Sequence, residues 1–219
     1  MIVDNYISNH IIPLKLDDNF SLSVRLMDES KLSYFPVLNG NTYCGLISDL
    51  DVYELESLGL KIMDRREFLK DLYIYNNQTI FEATSIILDN SLDVLPVVDK
   101  NKNYLGVLTI NKLLEAYSTY TAADQQGDVI QIVLNYNDLY ISEISRIIEN
   151  EDARIINLFL VPVSESTQVR LIIKLNKMGL CRVVKALERY NYKVEYFYQY
   201  MAEENLSDNY GLLMKYLSM

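Results

Sequence analysis

The chain has 219 residues and a mass of 25.4 kDa, half of its residues are apolar, and its formal net charge is −10. This acidity argues against binding to nucleic acid or to an anionic membrane surface, both of which require basic surfaces. One histidine, His10, and two distant cysteines, Cys44 and Cys181, are too few for a Cys/His zinc site and argue against a disulfide framework.

The first 120 residues contain an internal repeat. A displacement of 60 residues aligns Pro36 with Pro96 in the segments FPVL (35–38) and LPVV (95–98). One inserted residue then aligns YCGLIS (43–48) with YLGVLT (104–109). The first 120 residues are therefore expected to form two copies of one structural unit.

Each copy has the same predicted elements. A polar cluster precedes a helix with apolar residues at helical spacing, and a short buried strand begins at the proline. A polar turn leads to a second strand with a glycine near its start, and a helix follows for which Ser48 or Thr109 is a good N-cap. The pattern β-α-β-β-α covers about 50 residues, too few to bury its own sheet, so the copies should fold as a pair.

These residues resemble a known family. The strand h-P-V-h followed by G-h-h-[ST]-x-x-D is similar to the motif of the CBS domain, and two such motifs in tandem resemble a CBS pair, or Bateman module. The opening residues 1–14 resemble the first strand of that family. The resemblance implies a first CBS domain at 1–60 and a second at 61–120.

The remaining third of the chain has a different pattern. A polar stretch, 119–127, ends at Gly127 and is predicted to be a linker. Strands are predicted at 129–134, 155–163, 169–175 and 192–200, with a helix N-capped by Asp138 after the first strand and another helix over 180–187 after the third. The order βαββαβ predicts an antiparallel sheet with two helices on one face, the ferredoxin-like arrangement. The fold class of the whole chain is therefore α/β (α+β).

A ferredoxin-like domain at 127–200 directly after a CBS pair resembles an ACT-like domain, and the whole chain is similar to acetoin-utilisation-type CBS–ACT proteins. Amino-acid-binding ACT domains usually carry a glycine after their first strand, and residues 135–138 (NYND) contain none, which favours dimerisation over effector binding. The tyrosines of 190–200 suit a sheet edge or a subunit interface. The tail, 201–219, is predicted to form a helix that packs on its own chain or on a dimer mate.

The CBS resemblance implies an adenosyl ligand between the two copies. Ser48 and Asp51 match the Ser/Thr and Asp of the motif, and a carboxylate accepts hydrogen bonds from ribose hydroxyls. Thr109 matches in the second copy, but Lys112 replaces the aspartate and cannot accept a hydrogen bond. We therefore predict one competent cleft and a degenerate second cleft with Asp93 and Lys112. The residues assigned to the competent cleft and its surroundings are Ser33, Tyr34, Phe35, Pro36, Ser48, Asp51 and Thr109.

Purely structural roles compete with this interpretation. Ser48 and Thr109 suit helix N-caps, and Asp51 suits the positive end of a helix dipole. We expect His10 to be a half-exposed strand residue and both cysteines to be buried hydrophobic residues. The acidic clusters at 17–18 and 149–152 match no calcium loop and are interpreted as solvated.

The charge of the ligand is predicted from the residues around the cleft. Related proteins often place a basic residue immediately before the h-P-V strand to hold phosphates, whereas this chain has Tyr34 and Val94 there, and Asp93 would repel a phosphate if it faced the cleft. Residues 1–126 hold 10 basic and 18 acidic residues, a net charge of −8. This favours S-adenosylmethionine or adenosine over AMP, and AMP over ATP, although Lys112 would favour a phosphate if it reached one.

The leading hypothesis is a non-enzymatic regulatory protein: an adenosyl-sensing CBS pair coupled to an ACT-like domain in a homodimer. The alternative is a structural or protein-interaction module with degenerate sites. The sequence contains no Gly-rich phosphate loop, nucleophile beside a base, or metal constellation that would indicate an enzyme. No apolar run reaches the roughly 18 residues of a membrane span, and the opening lacks a signal peptide, so we expect a cytoplasmic protein.

Overall fold

The computed structural model describes residues 2–198, so the predicted helix of the tail lies outside the described residues. The chain divides into two compact units, the first ending at Ser118 and the second beginning at Thr119. The finer boundaries at 60, 127 and 200 stay predictions.

The first copy forms a three-stranded sheet with two helices. It consists of β1 (Leu14–Lys15), α1 (Phe20–Ser30), β2 (Tyr34–Asn39), β3 (Thr42–Ser48) and α2 (Asp49–Leu55). The sheet order is β1-β2-β3, with β1 parallel and β3 antiparallel to β2. Asn19 caps α1 by accepting a hydrogen bond from the backbone N–H of Leu22.

The second copy has the same order of elements, which confirms the predicted β-α-β-β-α repeat. It consists of β4 (Ile74–Tyr75), α3 (Ile80–Asn90), β5 (Val94–Val98), β6 (Tyr104–Thr109) and α4 (Ile110–Thr121), with sheet order β4-β5-β6. Thr79 caps α3 in a capping box with Glu82. Short 3-10 helices at Glu56–Leu58 and Ile62–Phe68 connect the two copies.

The sequence analysis placed each proline at the start of its strand, and this prediction is wrong, because both prolines lie inside their strands. Pro36 pairs with Leu46 and Pro96 with Val107, each proline being the third residue of its strand. On the other side of β2, strand β1 pairs only with Val37 and Leu38. The ladder on that side therefore stops before Pro36, where the missing N–H costs no sheet hydrogen bond.

The copies exchange the segments that precede their first strands. In the first leader (residues 7–10), Ser8 forms an antiparallel bridge with Val107, and in the second leader (residues 68–71), Lys70 forms one with Leu46. Each bridge has two backbone hydrogen bonds, 2.8 and 3.0 Å for Ser8 and 2.9 and 2.9 Å for Lys70. Each leader thus adds an edge residue to the sheet of the other copy. The opening strand that the sequence predicted is absent from residues 2–13, because Val3–Tyr6 is a 3-10 helix.

The motif glycines permit this exchange. A Cβ on Gly45 would lie 2.8 Å from Leu69 Cβ, and a Cβ on Gly106 would lie 2.5 Å from both Ile7 Cγ2 and Asn9 Oδ1. Their φ angles of +155° and +142° also disfavour other residues. The glycine of each repeat is therefore explained by close backbone approach.

The second unit is a ferredoxin-like domain, as predicted. It consists of β7 (Val129–Asn135), α5 (Ile141–Glu149), β8 (Ile155–Pro162), β9 (Gln168–Leu175), α6 (Cys181–Arg189) and β10 (Val194–Tyr198). The antiparallel sheet has the order β10-β7-β9-β8. Alternate residues of β7 and β9 form one core with the apolar faces of α5 and α6, so both helices cover the same face. The tyrosine-rich β10 is an edge strand.

Two predictions of local structure in this unit are wrong. Asp138 does not cap α5, because residues Tyr136–Asp138 form a 3-10 turn and Tyr140 takes the N-cap position. The predicted linker, 119–127, overlaps α4, which ends at Thr121, and a Cβ on Gly127 at its other end would lie 1.8 Å from the backbone oxygen of Leu175.

The histidine and cysteine expectations also need correction. His10 is exposed and outside any strand. Cys181 is exposed at the first residue of α6, and Cys44 is only partly buried. Within residues 2–198, no cluster of three or more His, Cys, Asp or Glu side chains could hold a metal ion.

Candidate ligand site in the first unit

Ser48 and Asp51 form a hydrogen-bonded pair at the start of α2. Ser48 is 6% exposed, and its Oγ accepts a hydrogen bond from the backbone N–H of Asp51 at 3.3 Å. The Ser48 hydroxyl also donates to Asp51 Oδ2. The capping role considered for Ser48 is therefore present. Among residues 2–198, the half-buried Asp51 carboxylate accepts no other side-chain hydrogen bond, so Oδ1 is available to a ligand.

The strand register places Tyr34, Ser48 and Lys70 on one face of the sheet. Tyr34 pairs with Ser48, Pro36 pairs with Leu46, and Lys70 bridges Leu46 from the other side. Because paired residues share a face and alternate residues return to it, these five side chains lie together, and we call this surface the Ser48 face. Leu46 belongs to the core of the second copy and Tyr34 packs against it, so the Ser48 face is turned toward the second copy.

Lys70 is the residue that the sequence analysis missed. Its Nζ lies 5.2 Å from the centroid of the Tyr34 ring, a cation–π contact. The sequence showed no basic residue immediately before either h-P-V strand, but the leader exchange brings a cation to the Ser48 face from the other copy. The sequence spacing of the two copies does not reveal which strand a leader joins.

Ser33 and Asp93 join the two copies beside this face. The Ser33 carbonyl accepts a hydrogen bond from the N–H of Asp49 at 2.8 Å, and the Ser33 N–H donates to Asp93 Oδ2. Among the described residues, Asp93 Oδ1 is buried without a hydrogen-bond partner, and burial raises the pKa of the carboxyl. Asp93 therefore acts as a contact between copies, a role that the sequence analysis did not predict.

Phe35 is not on the Ser48 face, although the sequence analysis grouped it with Tyr34. It is 2% exposed and packs in the core of the first copy with Val37 and Ile47, on the opposite side of the strand from Tyr34. It also lines a cavity of about 260 Å³ together with His10 and Ile12.

The corresponding surface of the second copy has different chemistry. Thr109 pairs with Val94, and its hydroxyl accepts a hydrogen bond from the backbone N–H of Lys112 at 3.2 Å. Lys112 Nζ is held by Glu115 at 2.7 Å. Ser8, which is 8% exposed, takes the place of Lys70. At the matching positions, this surface has neither the carboxylate nor the exposed cation of the Ser48 face.

In the second unit, the loop without glycine lines a cavity of about 550 Å³. Its lining residues are Asn135, Tyr136, Asn137, Asp138 and Thr167. Asn135 Nδ2 donates to Asp138 Oδ2 at 3.2 Å, which ties the loop to itself. No helix within residues 2–198 is long and apolar enough to span a membrane.

Comparison with protein families identifies the class. The CBS domain family model matches residues 61–119. Since the first copy repeats the element order and strand register of this segment, the chain carries a CBS domain pair followed by a ferredoxin-like domain.

Two of the curated proteins that are similar to this chain are enzymes. Homoserine O-acetyltransferase of Methanosarcina acetivorans is 23% identical over 123 residues, 55% of this chain and 22% of the relative. Inosine-5'-monophosphate dehydrogenase of Korarchaeum cryptofilum is 26% identical over 126 residues, 57% of this chain and 26% of the relative. The chain thus spans about a quarter of the length of these curated relatives.

Two solved structures are similar to about half of the chain. A CBS domain pair/ACT domain protein from Thermotoga maritima has 17% identity and a TM-score of 0.49, covering 54% of this chain and 98% of its own. CBSX2 in complex with AMP has 22% identity and a TM-score of 0.46, covering 54% of this chain and 96% of its own.

Proposed function

We propose that the CBS pair is a non-enzymatic, regulatory sensor that binds one adenosyl ligand per chain at the Ser48 face. The main support for this proposal is the Asp51 carboxylate. Ser48 holds its Oδ2 by a hydrogen bond, so its Oδ1 is available to a ligand. A carboxylate is an acceptor-only group and suits the two hydroxyls of a ribose. Tyr34 offers a half-buried aromatic surface beside it.

The sensing mechanism would be a population shift. The Ser48 face is turned toward the second copy, and the Ser33–Asp93 hydrogen bond joins the copies next to it. A ligand that contacts both copies favours the arrangement in which it binds best, and thereby changes how a partner docks. We propose that the partner includes a second copy of this chain, with the ACT-like domain serving as the dimerisation or sensor domain, in the cytoplasm and without nucleic acid or membrane.

Calorimetric titration of the full chain tests this proposal. Adenosine, AMP, S-adenosylmethionine and ATP are each titrated into the wild type and into Asp51→Asn. We expect one site per chain, with affinity at least about tenfold weaker in Asp51→Asn, because a charged acceptor of ribose hydrogen bonds is lost.

The matched control is Asp49→Asn, which removes one negative charge from the same helical turn. Asp49 Oδ1 accepts a hydrogen bond from the adjacent N–H of Leu50 at 2.7 Å and takes no part in the Ser48–Asp51 hydrogen bonds, so that pair stays intact. Affinity in Asp49→Asn should match the wild type. Two equivalent sites, or unchanged affinity in Asp51→Asn, would contradict the proposal.

A structural or interaction module without ligand is the second candidate. It is favoured by the Lys112–Glu115 ion pair and by Ser8 at the position that matches Lys70, because the second copy then has neither the carboxylate nor the exposed cation of the Ser48 face. No heat and no thermal stabilisation with any of the four ligands would support this candidate over the sensor.

A further inference from the structure

We propose that the tail (residues 201–219) folds back onto the second unit and covers the face of its sheet that α5 and α6 leave open. This inference goes beyond the proposed function, because it concerns neither the CBS pair nor its ligand. The sequence analysis left two docking places for the tail, its own chain or a dimer mate. The tail follows β10, which belongs to the same sheet, and this proximity favours its own chain.

The strand register divides the side chains of the sheet between two faces. Ile130, Ile132 and Leu171 belong to the core under α5 and α6, so the alternate residues of β7 and β9 lie on the opposite face, which we call the open face. The residues of β8 that pair with those of β9 lie on the same face. The apolar residues of the open face are Val129, Val133, Phe159, Val161 and Ile172.

The open face is more apolar than a face in contact with water alone. The solvated face of an antiparallel sheet is normally polar. Here Phe159 pairs with Ile172, and Val133 and Val161 flank Arg170. Phe159 and Val161 are 41% and 38% exposed. Neighbouring exposed apolar side chains of this kind are typical of a surface that packs against another segment.

Residues that precede β7 contact one end of the open face. The Asn157 side-chain amide donates to the Tyr120 carbonyl, and Lys174 Nζ donates to the Ala122 carbonyl. At the other end, Arg170 has no ion-pair partner within residues 2–198, and its Nε is buried without a hydrogen-bond partner among them. This end therefore presents a cation that the described residues do not neutralise.

The tail matches the open face in charge and in apolar character. Its three acidic residues exceed its one basic residue by two. The charged residues that β7, β8 and β9 place on the open face, Arg170 and Lys174, are both basic, so the two surfaces have complementary charges. The second half of the tail is mainly apolar, and four of its residues would share one side of a helix: Leu212, Leu213, Tyr216 and Leu217.

The tail also begins beside the open face and is long enough to cross it. β10 borders β7, and Tyr198 pairs with Val129. Three strand spacings of about 4.8 Å give the sheet a width of about 14 Å, and a helix of 12 residues is about 18 Å long. Residues 206–217 would therefore span the face as one helix, with residues 199–205 as the connection to β10.

Fluorescence tests this proposal, because the chain contains no tryptophan. In the full chain, Tyr216→Trp introduces one indole into the tail, and its emission and its quenching by acrylamide report whether it is covered. We expect blue-shifted emission and weak quenching from this reporter chain. Adding Phe159→Asp should shift the emission to the red and raise the quenching constant several-fold, because a carboxylate would then face the apolar, acidic tail.

The matched control is Leu160→Asp in the same reporter chain. Leu160 is adjacent to Phe159 and 40% exposed, but it pairs with Leu171 and so lies on the opposite face of the sheet. The control adds the same charge to the same strand, and emission and quenching should stay as in the reporter chain. Red-shifted emission from the reporter chain itself, or equal effects of the two substitutions, would overturn the proposal. Thermal midpoints verify that the variants are folded.

A mixing experiment distinguishes the tail's own chain from a second copy. The reporter chain with Phe159→Asp is unfolded and refolded together with an excess of wild-type chain, which has no indole. The emission should stay red-shifted, because the wild-type faces are covered by their own tails at high effective concentration. Recovery of the blue-shifted emission would assign the tail to the face of a second copy and overturn docking within one chain.

Discussion

Replacing Gly45 with alanine should separate the second leader from the sheet of the first copy. The new Cβ would meet Leu69 Cβ at 2.8 Å, and the alanine would have to adopt a φ of +155°. Relief of this clash requires the leader to move and weakens two backbone hydrogen bonds of 2.9 Å between Leu46 and Lys70. Two such bonds contribute about 2 kcal/mol, and the unfavourable φ adds about 1 kcal/mol or more, so we expect a loss of about 3 kcal/mol.

Urea unfolding and amide hydrogen exchange measure this loss. We expect the Leu46 amide to exchange faster in Gly45→Ala, and the thermal midpoint to fall by about 10 °C. The matched control is Gly40→Ala, where φ is +61° and no atom lies within 4 Å of the added Cβ, so only the backbone cost applies. If Gly45→Ala were no less stable than Gly40→Ala and kept the protection of Leu46, the explanation of the motif glycine by leader exchange would be refuted.

Three further substitutions test individual contacts. Asp93→Asn should gain stability relative to the wild type as pH rises from about 4 to 7. Burial raises the pKa of Asp93, so the stability that this carboxyl contributes to the wild type is lost as it ionises. A difference in thermal midpoint between variant and wild type that stays constant over this range would contradict it. Asp128→Ala should destabilise the second unit by about 1–3 kcal/mol in urea, because the fully buried carboxylate accepts the Gly179 N–H at 2.8 Å; a loss no larger than in the exposed control Asp124→Ala would contradict it. Thr79→Ala should cost about 1 kcal/mol through the lost N-cap of α3, and an unchanged urea midpoint would contradict it.

The sequence was enough to predict those parts of the fold that depend on repeated or local sequence patterns. The aligned prolines and the Gly45 and Gly106 motifs identified two copies, and Ser48 and Thr109 marked the helix starts because an N-cap acts within three residues. The ferredoxin-like order was predicted from strand and helix periodicity alone. Local patterns were enough for these features, because each depends on residues close in sequence.

The errors concern contacts that local patterns do not encode. Lys70 was missed because its partner Leu46 lies in the other copy. The sequence predicted Asp138 as the N-cap of α5, but a 3-10 turn intervenes before that helix. Phe35 was assigned to the ligand surface because sequence neighbours were grouped together, whereas adjacent strand residues face opposite sides of a sheet.

The exchanged leaders also determine when the first unit can finish folding during synthesis. Ser8 is synthesised about a hundred residues before its partner Val107, and Leu46 is synthesised before its partner Lys70. Neither sheet acquires its last edge residue from its own half of the repeat. Folding of the CBS pair should therefore finish only when most of both halves has been synthesised, and two fragments divided near residue 60 should recover the structure only by reassociating.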